Sequence, residues 1–188
     1  MIKDNLKKFW RFLNEDSWQS WIISLILAFV IIKFIFFPTL SFITAAPLPL
    51  VVIESCSMYH AGSFDSWWNQ NEVWYEDKKI IKENFEEFPF KNGLNKGDII
   101  LLWGRGEYKT GDIIVFQAGM QNPIIHRMIS EDPISTKGDN NLGQLDIETR
   151  IDEEQVLGKS IFRIPGLGWL KLLFFEGTRP TNERGFCR

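Results

Sequence analysis

The 188 residues include only two cysteines, Cys56 and Cys187, and only two histidines, His60 and His126. Two cysteines are too few for a disulfide framework, and their spacing matches no zinc motif. For Cys56 the expected role is that of a small buried apolar side chain; a cysteine nucleophile is the sharper alternative. A basic excess is also lacking. With 21 basic and 24 acidic residues the net charge is −3, so there is no polybasic footprint for nucleic acid. The length suits one domain of ordinary size plus an anchor, without a second core.

Aromatic residues, by contrast, are plentiful: eight Trp and sixteen Phe. Such side chains are enriched at membrane interfaces, where one end of the ring system is apolar and the other wet. Residues 1–17 form a charged leader with Lys3, Lys7, Lys8 and Arg11. Residues 18–37 are almost wholly apolar and span roughly 30 Å as a helix, the thickness of a bilayer core. Trp18 and Trp21 suit one headgroup level, Lys33 snorkels toward the other, and Pro38 is expected to stop the helix. The basic leader places the N-terminus in the cytoplasm and residues 38–188 outside the cell membrane. Thr44-Ala45-Ala46 offers a competing cleavage site for a signal peptide. The apolar run is long for that role, and Pro47 would follow the cut directly. An uncleaved single-pass anchor in the lipid bilayer is the reading preferred.

After the anchor the chain reads as mainly β, with a helical insert at about 61–92. Ile99–Trp103, Ile113–Phe116, Pro123–Ile129, Ile134–Lys137 and Val156–Ile164 are short apolar runs bounded by Gly-Asp and Asn-rich turns. Many such strands argue for a β sandwich or partly closed barrel. Within the insert, Trp67, Trp74, Ile81 and Phe88 recur every seven residues, a helical aromatic stripe on an otherwise polar segment. A surface helix packed on the domain is favoured over a Trp-rich cap above a site or in the membrane interface. Trp169–Phe175 is too short to span a membrane. It reads equally as a final core strand or as an interfacial segment.

Chemistry gathers around Val51–Met58, a strand-like run that delivers Ser57 to its end, where a hydroxyl is both held and exposed. Serine there is commonly just a turn residue. His126 lies between apolar neighbours on a strand, sharing a face with Ile124 and Met128, while Ile125, Arg127 and Ile129 share the other. Asp139 follows Gly138 in a polar loop, and Asp146 and Asp152 are further loop acids. His60 is a poor base, because on extended chain it faces away from Ser57.

Together these pieces resemble the type I signal peptidases, in the branch shared by archaea and the endoplasmic reticulum. Ser55-Cys56-Ser57-Met58 is similar to that family's Ser-Gly-Ser-Met box. Gly111–Phe116, Ile125-His126-Arg127 and Thr136-Lys137-Gly138-Asp139-Asn140-Asn141 match its later boxes in order and spacing. The resemblance implies a signal-peptidase-like β catalytic domain that removes signal peptides from exported preproteins after small residues. By position, Ser57 would be the nucleophile and His126 the general base, where bacterial members carry Lys. Asp139 is the acid of the Gly-Asp-Asn-Asn box. The family's second acid falls on Leu145, with Asp146 next, so a one-residue insertion would make Asp146 the orienting acid. The two remain unranked.

Serine needs a base to take its proton as it attacks, and a carboxylate to hold the imidazole in the right tautomer. The Ser57 backbone N–H and the Ser55 hydroxyl are the candidate oxyanion donors. No metal or cofactor is required. Preprotein signal peptides and the bilayer are the expected partners, with other membrane subunits open and nucleic acid excluded. Two other readings stay open: a protease for a different surface protein, and a catalytically silent membrane-anchored scaffold or binding module.

Overall fold

In the computed structural model, which describes residues 2–187, Ser17 opens the apolar helix by accepting the Ser20 N–H on its hydroxyl at 3.3 Å. The helix runs as α2 (Trp18–Ile31), a π-helical turn (Ile32–Phe36) and α3 (Phe37–Thr44), preceded by the amphipathic α1 (Ile2–Leu13). Pro38 does not stop it. The Phe37 N–H bonds Ile32 O across the widened π turn just before Pro38, which absorbs the proline ring and its missing N–H. The continuous helix Trp18–Thr44 has 27 residues and a mean hydropathy of 2.5, long and apolar enough to cross a membrane.

The chain divides at Ile43/Thr44 into two compact units. The second is built on one six-stranded antiparallel sheet, in the order β1-β2-β6-β3-β4-β5. The strands are β1 (Leu50–Val52), β2 (Ile99–Trp103), β3 (Ile113–Phe116), β4 (Ile124–Glu131), β5 (Ile134–Lys137) and β6 (Val156–Ile164). The five strands expected after the insert are all present. The strand before the insert, β1, is shorter than its apolar run suggests. Beyond Val52 only Ile53 still pairs, with its N–H on Asp98 O, and the chain then turns through Cys56, whose carbonyl accepts the Tyr59 N–H at 3.1 Å. Leu102, Ile100, Ile113 and Val115 fill one core with Ile53 and Met58, while Ile114, Phe116, Ile124 and Met128 fill another.

The insert forms two helices, α4 (Phe64–Asp77) and α5 (Lys82–Glu86), packed on the β domain. The seven-residue stripe breaks between them, where Lys79 takes a positive φ of 62°. Ile81 is consequently exposed, and the buried face is instead Trp67, Trp68, Tyr75 and Phe85, packed with Ile129 of β4. Trp169–Phe175 is a helix, α6, not a strand. Gly166 turns the chain sharply after β6, and only Leu172 of α6 is fully buried, leaving Leu170, Leu173 and Phe174 outward.

Candidate active site

Alternation along β4 sends His126 and Arg127 to opposite faces, and both are buried. His126 reaches a cleft of about 800 Å³ that is also lined by Ser55, Ser57, Asn141 and Leu145. The walls are largely apolar, with Leu50, Val52 and Ile125 among them. No residue of the insert lines it among the described residues, so the expected alternative of a cap over the site is not what the fold builds.

The carboxylate against His126 is Glu148. Its Oε1 faces His126 Nδ1 in a direct hydrogen bond and also accepts from Thr136 Oγ1 at 3.0 Å; Oε2 accepts the Leu145 N–H at 2.8 Å. Glu148 is completely buried. A carboxylate bonded this way accepts, so Nδ1 carries the hydrogen and Nε2 presents its lone pair. Gly138 lies under that atom: a Cβ there would fall 2.7 Å from His126 Nε2, so only glycine fits.

Neither expected aspartate sits against the imidazole. Asp146 begins the short 3-10 turn Asp146–Glu148 and is exposed. Such a turn has three residues per revolution, so Asp146 and Ile147 point outward when Glu148 points in. Asp139 is fully buried in a different set of bonds. It accepts from Arg127 Nε at 3.0 Å and Nη2 at 2.8 Å, from His60 at 2.9 Å and from the Tyr75 hydroxyl at 3.0 Å. Burial alone would raise its pKa. The Arg127 guanidinium and the His60 bond outweigh that and hold the carboxyl well below the usual range. Burial and the Asp139 charge push the Tyr75 phenol well above its ordinary value, keeping it a donor.

Ser57 is half-buried at the turn after β1, and its Oγ lies 3.1 Å from the Ser55 hydroxyl. The loop after β5 fixes it from behind. The Asn140 N–H donates to Ser57 O at 2.7 Å, and Asn140 Nδ2 donates to Cys56 O at 3.1 Å. Cys56 is neither a free apolar side chain nor an available nucleophile, because it forms a disulfide with Cys187. Two cysteines make no framework, yet one pair ties the C-terminal segment beside Ser57. Lys96–Glu176 and Arg179–Glu54 ion pairs bind the same segment.

Ser57, Ser55 and His126 therefore share a cleft, Asp139 lies behind it, and Asp146 stands apart. Glu148 escaped the sequence reading. The available signal was the acidic spacing itself, since of Asp146 and Glu148 a 3-10 turn directs only one inward. A serine, a histidine and a buried carboxylate on an antiparallel β domain are the side-chain set of serine hydrolases.

No family model matches the chain. Curated relatives do, among them several named signal peptidase complex catalytic subunit SEC11. The relative from Colletotrichum graminicola is 31% identical, over 44% of this chain and 57% of its own length. That from Lachancea thermotolerans is 34% identical, over 44% and 59%. That from Chaetomium globosum is 25% identical over a longer stretch, 76% of this chain and 73% of the relative. The chain thus spans less than two thirds of the length of the first relatives it matches. By these matches the chain is similar to proteins named as signal peptidase complex catalytic subunits.

Proposed function

We propose that this chain is a membrane-anchored serine endopeptidase that removes signal peptides from preproteins after small residues. The observation that carries the reading is the one cleft lined by Ser57 and His126, with the imidazole held from behind by the buried Glu148. Ser57 Oγ attacks the scissile carbonyl while His126 Nε2 takes its proton, then returns it to the leaving amine. Glu148 fixes the tautomer and stabilises the imidazolium. The Ser57 N–H and the Ser55 hydroxyl stabilise the oxyanion, each donor being worth on the order of 3 kcal/mol in such sites. Catalytic hydrogen bonds commonly tighten only once substrate is bound, which accounts for the Ser57 hydroxyl resting on Ser55. Asp139 is a structural carboxylate in this assignment, and Asp146 has no part in it.

The basic leader argues for a cytoplasmic N-terminus and an extracytoplasmic peptidase domain. The relatives are named as subunits of a complex, which supports further membrane subunits as partners. The test is cleavage of a preprotein bearing an Ala-x-Ala site by the full chain in detergent–lipid micelles. Ser57→Ala and His126→Ala should each lose activity by about 10⁴-fold or more. A wild type that cleaves nothing, alone or with added membrane fractions, would sink the reading in favour of a silent scaffold.

A further inference from the structure

Asp139 has no chemical task in this mechanism, yet its two neighbours touch the reacting groups. Gly138 lies against His126 Nε2, and the Asn140 N–H holds the Ser57 carbonyl. The Asp139 side chain is the peg between them. Its socket comes from three parts of the chain: Arg127 of β4, His60 of the segment after Ser57, and Tyr75 of α4 in the insert.

We propose that the helical insert is a positioning element for the catalytic loop, with Tyr75 the positioning residue: its hydroxyl, donating to Asp139 Oδ1, fixes the loop that sets Ser57 against His126. This deepens the serine endopeptidase reading and rests on it. The other donors cannot replace Tyr75. Every N–H of Arg127 is engaged, Nη1 on Pro89 O and Gly111 O, Nη2 on Phe90 O and Asp139, and Nε across both Asp139 oxygens. His60 serves the other carboxylate oxygen, Oδ2, and lies flat on Trp67, with ring centroids 3.6 Å apart at 5°. Tyr75 itself is completely buried and wedged between Phe85 and Trp74, with centroids 5.1 Å away on each side. Its hydroxyl is therefore a rigid donor at a depth where water does not substitute.

A second tie points the same way. Lys137, the residue before Gly138, is buried with its ammonium 4.9 Å from the Trp74 ring and 5.0 Å from that of Tyr75. Lys137 and Asp139, two residues apart, thus both meet Tyr75 of the insert. No insert residue lines the cleft, so the insert reaches the reacting groups only through the segments it packs on, this loop and β4 among them.

The experiment uses the full chain in detergent–lipid micelles with Tyr75→Phe, which keeps the ring and deletes only the hydroxyl. Preprotein cleavage is measured well below the melting temperature, and amide exchange is followed in residues 138–141. The variant should lose about tenfold in kcat with KM within about twofold, and exchange at Asn140 should quicken by about tenfold or more. Val73→Ala, on the exposed side of α4, should leave both unchanged. Unchanged kcat and exchange in Tyr75→Phe, with or without a lower melting temperature, would reduce Tyr75 to packing and overturn the proposal. If the wild type cleaves no preprotein, the peptidase reading falls. The exchange measurement then decides by itself whether Tyr75 holds the loop.

Discussion

His126 and Thr136 donate to the same oxygen of Glu148, and the Leu145 N–H occupies the other. The carboxylate is thereby fixed on the Nδ1 side of the imidazole with no rotational freedom left, the preorganised partner that the proposed mechanism asks for. Thr136 is directly opposite Met128 in the β4–β5 pair, so the sheet register itself sets this contact.

Glu148→Gln should cost about 10³- to 10⁴-fold in kcat, because an amide beside Nδ1 favours the wrong tautomer. Asp146→Ala should leave cleavage within about twofold of wild type, since Asp146 is exposed. Steady-state cleavage of one preprotein by the two variants checks the pair. An Asp146 variant as impaired as Glu148→Gln would overturn the assignment.

The strands are legible because Ile99–Trp103 and Ile113–Phe116 are continuous apolar runs each preceded by a Gly-Asp turn, a local signal that tertiary context had no reason to override. The places of Ser57 beside a strand and of His126 on one were legible for the same reason. The carboxylate beside His126 was not, because a 3-10 turn is a short, low-propensity element whose phase is set by packing. Which of Asp146 and Glu148 turns inward depends on the Leu145 N–H at the start of the turn and on Thr136, 12 residues back on β5. The bonds of Asp139 were hidden for a related reason. Its partners Arg127, His60 and Tyr75 lie 12, 79 and 64 residues away, and no spacing rule joins them. The π turn ahead of Pro38 likewise answers to helix geometry that hydropathy does not encode.

Lys137 makes stability depend on pH in an unusual direction. Burial lowers its pKa from 10.5 to about 8, against the opposing charges of Asp139 and Glu148 and with that of Arg127; Tyr75 stays protonated over this range. Between about 8 and 10.5 the unfolded chain binds the proton and the folded one does not, so this group's contribution to stability rises with pH through that window. Relative to Lys137→Met, the wild type should gain about 2 kcal/mol between pH 7.5 and pH 10. Urea unfolding of both at the two pH values measures it. A constant difference would show that Lys137 keeps its proton in the fold.

Cys56 stands between the two serines of the cleft, so its bond to Cys187 joins positions 131 residues apart at the turn that carries Ser57. Closing so long a loop restricts the unfolded chain by about 3 to 5 kcal/mol in the entropy description. Cys187→Ser should therefore lower the melting temperature by about 10 °C. A dithiol reductant should do the same to the wild type and nothing to the variant. Activity should fall less than stability, because Arg179 still bonds both Glu54 O and its carboxylate, and Lys96 still holds Glu176 and the Glu183 carbonyl. Those contacts keep the C-terminal segment beside Ser55 after the covalent tie is cut. A wild type whose melting temperature ignores reductant would mean that the two thiols do not pair, and the ion pairs alone would then have to hold that segment in place.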